Sequence, residues 1–139
     1  ALPQYEMAVM KARFTTMRTV AENLKKAEEV YYMANGYYEA NSDKLDFDYK
    51  GSCTGTDVLT CKKFFRVDIL DGSGIVTDPG KLRIQFSYFP DGYVGDNVSG
   101  QSDYVYYVWL DNSDYPGQRE CRGNTDKGKK LCKIINAQE

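Results

Sequence analysis

The side chains in this sequence that are capable of chemistry are cysteines, carboxylates and lysines; none of the 139 residues is histidine. Without imidazole, a general base would have to be a carboxylate or a lysine, and no nucleophile stands beside such a partner. The acid pairs Asp46/Asp48 and Asp111/Asp114 lie among turn residues, where aspartate commonly bonds its own backbone. No enzymatic activity and no cofactor are therefore expected. Cys53, Cys61, Cys121 and Cys132 include no C-x2-C pair, and with no histidine to complete a ligand set a structural zinc site is not expected. Four cysteines allow three pairings. The local ones, Cys53 with Cys61 and Cys121 with Cys132, would each close a short loop and stabilise the fold by about 3 kcal/mol through loop-closure entropy. Disulfides point to an oxidising compartment, the periplasm, cell surface or exterior.

Two loops, Asp91–Asn97 and Asp111–Asp114, carry oxygen ligands of the kind Ca²⁺ takes. Neither has EF-hand spacing, and no metal site is assigned. Charge is unevenly distributed. Residues 36–114 hold seven basic and thirteen acidic side chains, whereas residues 115–139 hold six basic and three acidic. Within that basic tail Lys127, Lys129 and Lys130, near Tyr115, form a candidate contact for an anionic partner or for DNA. Asn97-Val98-Ser99 matches a glycosylation sequon, a short pattern of low specificity.

The elements that position these groups begin with a long helix over residues 1–35. Tyr5, Val9, Ala12, Thr16, Val20, Leu24, Ala27, Tyr31 and Ala34 recur at three- and four-residue steps on one face. Asn35-Gly36 supplies a left-handed stop. A second apolar row, Met10, Phe14, Met17 and Ala21, widens the apolar sector of the N-terminal half. At about 1.5 Å per residue the helix runs roughly 50 Å, longer than a small domain is wide. Its N-terminal half is therefore expected to project from its own core, offering Tyr5, Val9, Met10, Phe14 and Met17 to other subunits.

Residues 36–61 show no sustained period and read as a connecting region with a short extended piece near Leu45–Tyr49. From residue 62 to 114 the period becomes two. Phe65, Val67 and Ile69 alternate with polar residues, as do Leu82, Ile84, Phe86 and Tyr88; Val105, Tyr107 and Trp109 follow in a third run whose opposite face, Tyr104, Tyr106 and Val108, is also apolar. Three such runs predict an antiparallel meander, covered on one face by the C-terminal half of the helix. Residues 115–139 read as a disulfide-pinned tail with one helical turn around Lys129–Ile134. The fold class is α+β in a single domain, and no apolar run approaches the roughly 18 residues needed to cross a bilayer.

This order of elements resembles the type IV pilin and pseudopilin family. The opening Ala1-Leu2-Pro3-Gln4-Tyr5-Glu6, with Ala8-Val9 and Lys11-Ala12-Arg13, is similar to the stretch that follows the family's hydrophobic segment. Glu28 to Gly36 is similar to its helix end, and Tyr115-Pro116-Gly117-Gln118-Arg119-Glu120-Cys121, with Cys132 beyond, resembles its disulfide-bounded C-terminal region. The resemblance implies a filament subunit whose helices bundle at the centre while sheet domains form the wall. Its partners would be other copies, related pilins and the inner-membrane assembly machinery, and its place the cell surface after anchoring in the inner membrane. The family's apolar N-terminal segment and its acidic assembly residue have no counterpart here, so the resemblance further implies a chain beginning after that segment and monomeric without it. A type II secretion pseudopilin, or a minor pilin binding DNA or a receptor, is the alternative.

Overall fold

The computed structural model describes residues 3–47, 52–70, 75–93 and 101–138. Helix α1 runs from Pro3 to Asn35 and helix α2 from Asp126 to Gln138. Between them lie strands β1 (Cys53–Gly55), β2 (Val58–Cys61), β3 (Phe65–Ile69), β4 (Arg83–Tyr88), β5 (Tyr104–Trp109) and β6 (Arg119–Gly123). The six strands form one antiparallel sheet in the order of the sequence, β1 to β6. At the end of α1, Gly36 adopts φ +80° and donates its N–H to the Tyr32 carbonyl at 2.7 Å. A left-handed glycine closing the last turn is what Asn35-Gly36 predicts.

One face of the sheet packs on α1. Phe65, Val67 and Ile69 of β3 and Ile84, Phe86 and Tyr88 of β4 are buried there. On β5 the inward row is Tyr104, Tyr106 and Val108, with Val105, Tyr107 and Trp109 on the outer face, the reverse of the alternation expected for that run. Both rows of β5 are apolar, so hydropathy alone does not choose between them. The choice falls to α1: Phe14 meets Tyr106 edge-on at 5.0 Å and Tyr104 at 6.2 Å between ring centroids. Outside, Arg83 lies over the rings of Tyr107 (4.7 Å) and Trp109 (5.2 Å), covering the aromatics that face away from the helix.

The region expected to connect helix to sheet contains a hairpin, β1–β2, and a 3-10 turn at Ser42–Lys44. The turn into β3 puts Lys62 and Lys63 at φ 53° and 67°. That backbone normally falls to Gly or Asn, so two lysines give no hairpin signal in the sequence. The tail likewise holds more structure than one helical turn, a five-residue strand and a 13-residue helix. The first turn of α2 is capped by Thr125, whose hydroxyl accepts the Gly128 N–H at 3.1 Å and donates to Asp103 at 2.9 Å. Gly128 lies directly on the Asp103 carbonyl, leaving no room for a Cβ.

Phe14 is 1% exposed and anchors the helix to β5. Phe14→Ala is expected to cost about 3–5 kcal/mol, whereas Ala12→Ser, on the outward side, should stay within about 0.5 kcal/mol. Urea unfolding followed by circular dichroism measures both.

Candidate functional site: the outward face of the first helix

The burial of α1 inverts the two rows expected in its N-terminal half. Met10, Phe14 and Met17, expected to contact other subunits, are 2%, 1% and 1% exposed and belong to the chain's own core. Ala12 and Thr16, from the row expected to face the core, are exposed. Of the five residues assigned to subunit packing, only Tyr5 is fully outward, at 77% exposure; Val9 is half-buried. Methionine and phenylalanine remove more apolar area from water than alanine and threonine do, so the helix rotates to bury them. The sheet therefore covers the N-terminal half of α1 as well as its C-terminal half.

What this rotation turns outward is an unusual surface. From Gln4 to Asn23 the exposed residues are Gln4, Tyr5, Ala8, Lys11, Ala12, Thr15, Thr16, Thr19 and Asn23. Lys11 is their only charge. The polar members satisfy themselves within the helix: Thr15 donates to the Lys11 carbonyl (3.0 Å), Thr16 to Ala12 (3.3 Å), Thr19 to Thr15 (3.3 Å) and the Asn23 amide to Thr19 (2.8 Å). Back-bonded hydroxyls leave their methyl groups outward. Such a face can lose its water without orphaning the donors of its threonines and Asn23, which removes the main cost of burying polar side chains. The signal is present in the sequence as an Ala/Thr row at helical spacing.

Polar ties on both sides of the buried stripe fix this orientation. Arg13 donates to the Tyr88 hydroxyl at 2.9 Å and lies 4.1 Å above the Phe64 ring. Glu22 and Lys26 stand four apart along the helix, as do Lys25 and Glu29, but Glu22 receives a two-pronged contact from Arg119 of β6, both bonds 2.6 Å. Lys25 does pair with Glu29 (3.3 Å) and also reaches Asp111 (2.9 Å).

The remaining candidate residues separate. The cysteines form the two local disulfides, Cys53–Cys61 across the β1–β2 hairpin and Cys121–Cys132 between β6 and α2. Lys127 is held 3.6 Å from Glu6 and 3.7 Å from Asp103, so it is neutralised locally, while Lys129 and Lys130 are exposed on α2. In the loop Asp111–Asp114, the Asp111 and Asn112 N–H groups donate to Glu29 (2.9 Å) and the Tyr38 hydroxyl (3.1 Å), backbone ties rather than a cation cage. Among the described residues no group of three or more acidic, Cys or His side chains is placed to hold a metal ion. The second half of Asp91–Asn97, the sequon Asn97-Val98-Ser99 and the end of the extended piece at Leu45–Tyr49 lie outside the described residues. No helix among the described residues is long and apolar enough to cross a membrane.

One buried acid has no counterpart in the sequence reading. Glu28 is fully buried near the end of α1, where its Oε1 accepts the Glu39 N–H at 2.9 Å. Burial pushes its carboxyl up from 4.5 to about 8, against the stabilising Glu39 N–H and helped by the charges of Glu39 and Glu29. Beside it the Tyr31 hydroxyl shares a hydrogen bond with Tyr37 at 3.2 Å. Comparison with protein-family models, characterised proteins and solved structures finds no match for this chain.

Because the folded pKa of Glu28 lies above its ordinary value, folding takes up a proton between about pH 4.5 and 8. Its contribution is fully favourable below the lower value and is lost as pH rises through the upper one. Glu28→Gln should flatten that decline and stabilise the protein at pH 8 by on the order of 3 kcal/mol, read from urea midpoints across pH 4–9. A parallel pH dependence in parent and variant would disprove the assignment.

Proposed function

We propose that this chain is a structural subunit of a type IV pilus-like surface filament, assembling with copies of itself through α1. The observation that carries the reading is the outward face of α1 from Gln4 to Asn23, with a single charge and with back-bonded threonines. A solvent-facing helix ordinarily carries many charged residues. One whose polar groups are already satisfied is suited to pack against other helices, as small and hydroxyl residues do where helices lie close. The α+β arrangement, a 33-residue helix backed by an antiparallel sheet, is compatible with the pilin-like fold that the sequence resembles. Two disulfides fit an oxidising exterior. In this reading the subunit is held at the inner membrane before the assembly machinery inserts it, and the sheet forms the filament's outer wall. A secretion pseudopilus would bury the same face and falls under the same proposal.

The test is made in the producing cell with the natural gene product. Among the described residues no cysteine is free, so a cysteine introduced at Ala12 provides a defined handle. Ala12→Cys in sheared filaments should cross-link neighbouring subunits with a short bismaleimide, and Lys81→Cys, on an exposed turn of the sheet, should not. Ala12→Glu should abolish filaments while leaving the isolated domain's melting temperature within about 2 °C. Normal filaments from Ala12→Glu cells would rule the reading out.

A further inference from the structure

A second surface overlaps the Pro3 end of the outward face of α1, sharing Gln4, Ala8 and Lys11 with it. There α1 and α2 run against each other and leave an open groove of about 580 Å³, within the range of ligand-sized pockets. Its floor is apolar, formed by Met7 and Ala8 of α1 and Ile134 of α2, and its rim is Lys11, Lys130 and Lys133. None of these three ammonium groups has an ion-pair partner among the described residues. By contrast Lys127, on the other side of α1, is paired with two carboxylates. Among the described residues, three like charges thus border one apolar floor with no carboxylate paired to them, a local excess of positive charge.

We infer that this groove seats the headgroups and upper acyl chains of anionic phospholipid in a bilayer surface. The chemistry of the rim favours that occupant. Lysines extend apolar stems along the floor while their heads reach for phosphate, and a flexible point charge suits a fluid headgroup layer, whereas a carboxylate-bearing peptide is better gripped by the fork of arginine. The floor is also short. Three apolar residues cannot supply the i, i+3, i+4, i+7 row of pockets that a docked helix requires, but they suffice for the upper part of an acyl chain. Tyr5, 77% exposed on the same end of α1, is a residue type that settles at the membrane–water boundary. The inference concerns the groove of the isolated domain and does not rest on the filament reading.

Cosedimentation of the domain with vesicles tests it. Vesicles of 30 mol% phosphatidylglycerol in phosphatidylcholine should bind the domain at low salt, and pure phosphatidylcholine should not. Lys11→Glu/Lys130→Glu/Lys133→Glu should weaken binding at least about 100-fold, at roughly fivefold for each lysine charge removed. The control Lys26→Glu/Lys81→Glu, with equally exposed lysines elsewhere, should lower it far less, and Ile134→Ser should lower it several-fold with the charge intact. Unchanged binding of the triple variant overturns the inference, as does equal binding to both vesicle types. Millimolar inorganic phosphate displacing the vesicles at constant ionic strength, with Ile134→Ser silent, identifies a bare anion patch and overturns it too. Self-association in analytical ultracentrifugation that the triple substitution abolishes would give the groove to a second copy instead.

Discussion

The structure depends on one contact, the stripe Met10, Phe14, Met17, Ala21 and Leu24 of α1 pressed into the aromatic inner face of the sheet. Each large side chain buried there is worth about 1.5–3 kcal/mol, and together they fix the rotation of the helix about its own axis. Arg13 on one flank of the stripe and Glu22 and Lys25 on the other then act as locks, bonded to β4, to β6 and to the loop between β5 and β6. Rotation decides everything that α1 presents to the outside. A helix turned by one residue, about 100°, would expose methionine and phenylalanine and bury the threonine row.

The fold was legible wherever a period was unambiguous. Phe65, Val67 and Ile69, like Ile84, Phe86 and Tyr88, face the core as their alternation predicts, and Asn35-Gly36 ends the helix. It was illegible where two apolar rows competed. Tyr104-Val105-Tyr106-Tyr107-Val108-Trp109 is apolar on both faces, and only the position of Phe14 across from Tyr106 decides between them. The same competition reversed the reading of α1, because a count of apolar positions ranks Ala12 with Met17 although they bury different areas. The β1–β2 hairpin escaped because its strands are three and four residues long and β2 runs into Lys62 and Lys63 in a conformation that sequence rules reserve for glycine; β6 escaped because its five residues, Arg119 to Gly123, show no apolar alternation. Glu28 could not be recognised as buried, since a glutamate on a helix reads as surface until the Glu39 amide is seen bonded to it.

Both edges of the sheet are blunted. β1 is three residues long and cross-linked to its neighbour by Cys53–Cys61; β6 is roofed by α2 and tied to it by Cys121–Cys132. The side-chain amide of Asn136 completes the second closure, accepting the Cys121 N–H at 2.9 Å and donating to its carbonyl at 2.8 Å, as a neighbouring strand would. Sheets that leave such edges open pair with other chains indiscriminately. With both edges blunted, strand-to-strand pairing with other chains is disfavoured, which suits the proposal that assembly runs through α1.

The strand order carries a last consequence. A sheet that follows the sequence from β1 to β6 builds by adding each strand to the one before it, so its pairings are local and form early. The helix is different. Phe14 waits for Tyr104 and Tyr106, and Glu22 for Arg119, about ninety to a hundred residues downstream. During synthesis α1 leaves the ribosome before the strands that cover it, so its methionines and Phe14 stay unshielded while those strands are being made. The same segment must be kept from premature contacts in the nascent chain until its inner face is sealed.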